Sequence, residues 1–217
     1  SPGAAELRAR LLSGSRDVRD ATALLLGIQD LMPAEEQLAL VRAAENTWAR
    51  RASPKERALL LGAECRARYR LNDVEAARAV CDEALRVARE AGDPGILSHA
   101  LRLAGFLRSK AGDTVAAFPL LRQSFDIARS IPDDRLEAAA LNSLGVAADN
   151  IGVYREASEF YASALAAAQR ADDRGLEAMV TLNIALLHVV MGEAAEAIES
   201  AQQARELALE SGGRQTA

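Results

Sequence analysis

The fold of this chain is decided by the stretch LNSLGVAADNIGVYREASEFYASAL, residues 141–165. Gly152 interrupts an otherwise helical pattern there, and a break of the same kind recurs every 40 residues, at Asn72, Gly112, Gly152 and Gly192. A second series of breaks, at 92–94, 132–134, 172–174 and 212–214, has the same period and is offset by about 20 residues. Two breaks per period leave segments that are long enough for helices of four turns or more.

The segments between the breaks carry helical periodicity. Apolar residues recur at steps of three and four in residues 74–91, at Val74, Ala77, Val80, Cys81, Ala84, Leu85 and Ala88. Half of the 217 residues are hydrophobic, only 4% are aromatic, and the abundant alanine and leucine rank highest in helix propensity. The composition therefore predicts an all-α chain with a sizeable core, and it disfavours a β-sandwich, a β-barrel or a disordered chain.

Helix start signals agree with this division. Ser53-Pro54-Lys55-Glu56 has the pattern of a capping box with proline at the first helical position. Asp73 and Asp113 are placed to cap the second helix of their repeats, and Asp93 is placed to cap the helix that follows it.

The period divides the chain into five repeats of two helices each. We place them at 15–54, 55–94, 95–134, 135–174 and 175–214, with an N-terminal flank at 1–14, where Ser1 is consistent with a tag remnant, and a tail at 215–217. The first repeat is degenerate, as terminal capping repeats are, with Met32-Pro33 where later repeats carry asparagine or glycine. Because a lone helix pair cannot bury its apolar face, we expect one continuous array of about ten antiparallel helices.

The motifs of the fourth repeat resemble the tetratricopeptide repeat (TPR), in its forty-residue variety. Leu144-Gly145, Gly152, Ala157, Tyr161 and Ala164-Leu165 match the family pattern; the other repeats match in part, and the second has Glu64-Cys65 in the Leu-Gly place. The resemblance implies a right-handed α-solenoid that binds peptides or partner helices on a concave face formed by the first helix of each repeat. The forty-residue variety is similar to sensory and regulatory modules of bacterial signalling proteins, such as diguanylate cyclases, transcriptional regulators and kinases.

Mapping the groove positions of the family through the Leu-Gly motif nominates a set of candidate binding residues. They are Arg66, Tyr69, Arg70, His99, Arg102, Phe106, Lys110, Asn142, Val146, Asp149, Asn150, Met179, Asn183 and Leu186. Arginine forks suit carboxylates, asparagines can pair with both the donor and the acceptor of an extended peptide backbone, and the apolar end suits an amphipathic helix.

Each group of candidates has a plainer interpretation. Arg66 and Arg70 lie four residues apart and are equally explained as a solvated face, and Phe106 is favoured as a core residue over a ligand platform. Val189-Val190 is favoured as a surface covered by a further helix; left exposed, it invites a homodimer through the C-terminal repeat. Cys65 and Cys81 lie on the two helices of one repeat, where buried thiols are favoured over a disulfide bridge.

Several functional classes are disfavoured by what the sequence lacks. A net charge of −5 argues against nucleic acid as a partner, and the absence of an 18-residue apolar run argues against membrane contact. The phosphate-loop, dinucleotide, zinc-protease and serine-hydrolase motifs are missing, so we expect no catalytic residue, no metal site and no cofactor.

The expected function is therefore a protein–protein or peptide-binding module, the regulatory sensor segment of a larger bacterial signalling protein. The alternative is a stand-alone scaffold or chaperone-like adaptor without an output domain. The cytoplasm is the expected compartment, and the periplasm would follow if a signal sequence preceded Ser1.

Overall fold

The computed structural model describes residue 9, residues 32–48 and residues 51–215, and within these residues the chain forms helices and turns and no strand. The described helices longer than one turn are α1 (Ala34–Trp48), α2 (Pro54–Arg70), α3 (Val74–Ala91), α4 (Pro94–Lys110), α5 (Thr114–Ser130), α6 (Asp134–Asn150), α7 (Tyr154–Arg170), α8 (Arg174–Met191) and α9 (Ala194–Gln215). The predicted all-α class is confirmed for this part of the chain. The predicted flank 1–14 apart from Ala9, the first half of repeat 15–54 and the end of the tail lie outside the described residues.

From residue 54 onward the helices fall in pairs, which begin at Pro54, Pro94, Asp134 and Arg174. We call α2, α4, α6 and α8 the first helices and α3, α5, α7 and α9 the second helices. Contacts between Cα atoms divide the chain into two compact units, Ser1–Leu107 and Arg108–Ala217, and the division falls inside α4. The predicted single array over 15–214 stays a prediction.

In the four repeats from residue 55 onward, the predicted break between the two helices is a left-handed residue. Asn72 has φ 61°, and the glycines 40, 80 and 120 residues later have φ between 76° and 81°. An L-residue with a side chain rarely adopts this conformation, and glycine and asparagine do so at the lowest cost. The 40-residue period of the sequence is therefore a period of backbone geometry.

The helix starts follow the predicted caps with one exception. Ser53 and Glu56 form the reciprocal capping box, Asp113 accepts a hydrogen bond from the Ala116 amide at 3.2 Å, and Asp93 accepts one from the Ile96 amide at 3.0 Å. The prediction for Asp73 is wrong: its side chain makes no capping bond, because it accepts a hydrogen bond from Arg68 Nη1 at 2.9 Å instead.

In the first unit, α2 packs on α1 and on α3. One buried cluster contains Cys65, Ala77, Cys81, Leu103 and Leu107. Cys65 and Cys81 are joined by a disulfide bond with 5.4 Å between their Cα atoms. The burial predicted for both cysteines is confirmed, with 1% exposure each, but the preference for two separate thiols is wrong, because the close approach of α2 and α3 brings the two sulfur atoms within bonding distance.

In the second unit, α6 is the central helix. It packs on α5, α7 and α8, and α8 packs in turn on α7 and α9. Residues 141–148 of α6 are all buried, and Leu144 and Ala147 form a cluster with Leu121 that Phe118, Phe125 and Phe160 flank. Every side of α6 is therefore in contact with a neighbouring helix in its middle turns.

Candidate functional site

Three of the predicted residues come together in the first unit. Arg66 of α2 and Arg102 of α4 both lie close enough to His99 of α4 to lower its pKa, although burial of the imidazole is the larger cause. Arg102 Nη2 lies 3.4 Å from His99 Nδ1. Since a guanidinium can only donate, Nδ1 is the acceptor and the imidazole is neutral, in agreement with a pKa well below the ordinary value for histidine.

Gly62 sets the distance between α2 and this cluster. A Cβ atom at Gly62 would lie 3.3 Å from Leu103 Cδ1 and 3.7 Å from His99 Nε2. The absence of a side chain therefore lets α4 approach α2 closely and brings His99 against the α2 backbone. Our motif mapping missed Gly62; a glycine in a helix interior, where it costs about 1 kcal/mol relative to alanine, was the available signal.

The two aromatic candidates of the first unit belong largely to the core. Tyr69 and Phe106 meet edge to face, with ring centroids 5.5 Å apart, and both pack against the cluster that contains the disulfide. The favoured interpretation of Phe106 as a core residue is thus supported. Both rings are partly buried, which leaves only their edges to a ligand.

Arg70 is used in packing. Its guanidinium donates hydrogen bonds to Gln37 Oε1 and to the Met32 carbonyl oxygen, each at 3.1 Å. Gln37 is fully buried and also donates to the Ala63 carbonyl oxygen. Arg70 therefore ties the end of α2 to the start of α1.

In the second unit, two predicted asparagines are joined directly. Asn183 Nδ2 of α8 donates to Asn142 Oδ1 of α6 at 2.8 Å. Asn142 is 7% exposed and Val146 is 8% exposed, because α8 covers this side of α6, whereas Asn183 is half-buried. A ligand on this side would contact Asn183, since Asn142 and Val146 lie beneath the surface.

The remaining polar candidates cluster at the ends of α4 and α6. Asn150 Nδ2 donates to Ser109 Oγ at 2.9 Å. Burial raises the pKa of Asp149, and nearby Lys110 opposes the rise. Burial also raises the pKa of Tyr161, and Asp149 adds to that shift. Lys110 and Asn150 are exposed and Asp149 is half-buried, so this end of the first helices presents a cation, an amide and a carboxyl group.

The last two candidates, Met179 and Leu186, are exposed on α8. They belong to an apolar face that we call the α8 stripe, made of Met179, Leu182, Leu186, Val189 and Val190. By length and composition, α8 is also the one helix in the described residues that is apolar enough to cross a membrane. The sequence analysis, which looked for an unbroken apolar run of 18 residues, did not detect it. Length and composition alone are weak evidence for a membrane span, and the opposite side of α8 packs on protein.

An acidic pair in the first unit was missed by the sequence analysis. Glu64 is buried, and Arg68 donates to its Oε1 at 2.7 Å. Glu45 of α1 faces Glu64, and its pKa rises to about 7, first through burial and then through the charge of Glu64 and a hydrogen bond to it. A glutamate in the Leu-Gly place of the second repeat was the available signal. Within residues 32–48 and 51–215, no group of three histidine, cysteine or acidic side chains could hold a metal ion.

Comparison with known proteins identifies the repeat. A family model described as Tetratricopeptide repeat matches residues 95–170, and one described as Anaphase-promoting complex subunit 5 matches residues 56–111. No curated protein matches the sequence. The tetratricopeptide repeat is thus recognised over residues 95–170, which belong to the third and fourth predicted repeats.

Solved structures share the architecture at low sequence identity. A Rap protein in complex with Competence and Sporulation Factor has a TM-score of 0.72 at 15% identity, over 96% of this chain and 65% of that one. BtubC (BKLC) from P. vanneervenii has a TM-score of 0.65 at 15% sequence identity, over 95% of this chain and 92% of that one. A signal transduction ATPase with a tetratricopeptide repeat sensor, from Pyrococcus horikoshii, has a TM-score of 0.59 at 13% sequence identity, over 87% of this chain and 30% of that one. At such identities the likeness concerns the fold, and it confirms the predicted class, an all-α helical-repeat solenoid.

Proposed function

This chain is a tetratricopeptide-repeat protein, and on that premise we propose that it is an interaction module that holds an extended peptide of a partner protein against its first helices. The observation that carries the proposal is the amide pair of Asn183 and Asn142, which joins successive first helices at 2.8 Å. The bond uses one of the two Nδ2 hydrogens of Asn183, so a second hydrogen and the Oδ1 acceptor are left on a half-buried side chain. An extended backbone presents the matching carbonyl and amide groups.

The chemistry at the end of α6 also favours a peptide. The exposed Asn150 adds a second amide group at the end of α6, and Lys110 and Asp149 add opposite charges there. A short peptide can be oriented by such charges while amide groups hold its backbone, because side-chain amides bind backbone without regard to sequence and charges discriminate between sequences.

We further propose that the module is a regulatory sensor segment of a larger protein. One structural neighbour is a Rap protein complexed with a sporulation factor, and another carries its repeats as the sensor of an ATPase. The chain spans only part of the length of each. A stand-alone scaffold is the alternative, and an output domain in the reading frame of the parent gene distinguishes the two.

The peptide proposal is tested by selecting ligands for the full chain from a phage-displayed random-peptide library. An enriched peptide is synthesised and its Kd is measured by titration calorimetry. We expect Asn183→Ala to weaken binding about tenfold, the effect of losing one or two hydrogen bonds.

The matched control is Gln123→Ala, which removes an exposed amide from the second helix α5 and should leave the Kd unchanged. Equal affinity of wild type and Asn183→Ala for the selected peptide, or no enrichment over bare support, would contradict the proposal.

A further inference from the structure

We propose that the chain forms a two-fold symmetric dimer in which the α8 stripes of two copies pack antiparallel against each other. The stripe residues Met179, Leu182, Leu186, Val189 and Val190 are 45%, 49%, 53%, 63% and 55% exposed. Their spacing of 3, 4, 3 and 1 residues places all five on one face of α8. Monomeric proteins rarely leave such a contiguous apolar surface open to water.

The repeat period identifies what kind of surface this is. Forty residues before Leu182 and Leu186 lie Asn142 and Val146 of α6, which are only 7% and 8% exposed, because α8 packs on α6. The stripe is therefore the face on which a first helix packs in this architecture. Its occupant is accordingly a helix.

The composition of the stripe restricts that helix further. Inside the second unit, first helices meet through polar bonds: Asn183 donates to Asn142 Oδ1, and Asn150 donates to Ser109 Oγ. The two acceptors are Asn142 and Ser109. The equivalent positions on α8 are Leu182, which lies 40 residues after Asn142, and Val189, which lies 80 residues after Ser109. A covering helix with an asparagine donor would find no acceptor there, so the stripe requires a partner helix whose contact face is apolar.

A second copy of α8 supplies such a face with matching symmetry. An antiparallel arrangement centred near residue 184 places Met179 opposite Val190 of the second copy, and Leu182 opposite Leu186 of the second copy. The same symmetry brings Arg174, which pairs with Glu177 of its own chain at 3.0 Å, towards Glu193 of the second copy. Glu193 lies just beyond the end of α8, 2.6 Å from His188 of its own chain. Opposite charges and opposite helix dipoles then meet at both ends of the contact.

The size of the contact predicts a reversible dimer. One helix face per copy is smaller than the roughly 800 Å² per partner that stable complexes bury. We therefore expect association in the micromolar range, so that monomer and dimer coexist at ordinary laboratory concentrations.

The proposal is tested by sedimentation equilibrium of the full chain from about 1 to 300 µM, a range that brackets micromolar association. Wild type should pass from monomer to dimer, and Leu186→Glu should weaken the association at least about tenfold, because a carboxylate would be buried without a partner. Leu186 is half-exposed in the monomer, so the variant should fold, which circular dichroism checks. The matched control Val115→Glu alters an 89% exposed apolar residue on α5 and should dimerise like wild type.

Orientation is tested by mixing a Met179→Cys chain with a Val190→Cys chain under mild oxidation, with a mass tag on one of them. The native cysteines are buried and bonded to each other, so the introduced thiols report the contact. Antiparallel packing predicts cross-links between the two different variants, whereas predominant Met179→Cys self-cross-links would overturn it. A wild type that stays monomeric, or a monomer that binds lipid vesicles through the stripe, would overturn the dimer itself.

Discussion

At the residue scale, Gly145 shows how closely α6 and α7 approach. A Cβ atom there would lie 2.5 Å and 2.6 Å from ring carbons of Tyr161, which is itself 1% exposed. Ala157 and Ala164, one turn to either side of Tyr161 on the same helix, are also fully buried, so the ring cannot turn outward into solvent without disturbing the core. Glycine at 145 is therefore required by packing, although it weakens the helix by about 1 kcal/mol relative to alanine.

We expect Gly145→Ala to lower the free energy of unfolding by about 1–3 kcal/mol, because the overpacking cost exceeds the gain in helix propensity. Urea denaturation measures the change. The matched control is Gly62→Ala in α2, where the nearest atom is the terminal Cδ1 of Leu103 at 3.3 Å, a flexible end that can shift; its effect should be clearly smaller. A Gly145→Ala chain as stable as wild type would show that the contact with Tyr161 is not tight.

The Glu45 carboxyl predicts a pH-dependent stability. Its pKa rises from 4.5 to about 7 in the folded state, through burial first and Glu64 second. Between these values the folded chain binds more protons than the unfolded chain, so the unfolding free energy falls as the pH rises. Because the group is only half-buried, solvent screening reduces the effect to about 1 kcal/mol.

We expect Glu45→Gln to be about 1 kcal/mol more stable relative to wild type at pH 8 than at pH 5, since the amide carries no charge at either pH. Urea denaturation at the two pH values gives the difference. The lowered pKa of His99 also makes stability depend on pH, but it acts equally in both chains and cancels. Glu75→Gln, at an exposed position of α3, should show no such difference, and an equal response of the two variants would contradict the assignment.

At the scale of helices, residues at equivalent positions of two repeats can differ in exposure, because their helices have different neighbours. α6 and α8 both contain a first-helix pattern of the same period, yet residues 141–148 of α6 are buried while α8 leaves its stripe open. The difference arises because α6 packs on α5, α7 and α8, whereas α8 packs on α6, α7 and α9, and no helix among the described residues covers the stripe. The proposed dimer would give α8 the neighbour that α6 already has.

The disulfide is the other feature of this scale, because it joins the two helices of one repeat. Cys65 of α2 and Cys81 of α3 enclose a loop with a sequence separation of 16 residues. Closing a loop of that length restricts the unfolded chain by about 3 kcal/mol. We therefore expect the reduced chain to unfold about 3 kcal/mol more easily than the oxidised chain.

Urea denaturation of the same sequence in both redox states measures this difference without any change in side-chain volume. Thiol titration of the untreated chain in denaturant is the control, and it should detect no free cysteine. Equal denaturation midpoints, or two free thiols in the untreated protein, would contradict the prediction.

At the scale of the whole molecule, each compact unit has its own buried cluster, one around the disulfide and one around Leu121 and Leu144. Both clusters consist of residues that recur at helical spacing in the sequence, so their membership was open to prediction from periodicity. The candidate binding residues divide between the units accordingly: the arginine–histidine cluster lies in the first, and the asparagine pair and the stripe lie in the second.

The sequence by itself determined the all-α class, the 40-residue period, the helix pairs and the left-handed turns at Asn72 and Gly152, because these follow from local propensity, capping and backbone sterics. It also placed the asparagines on successive first helices. Only the tertiary structure decided that Asn142 lies buried beneath Asn183 and that Arg70 binds the start of α1. The same holds for the bond between the cysteines. Periodicity identifies which face of a helix a residue occupies, whereas exposure and bonding depend on which other helix covers that face and how closely it approaches.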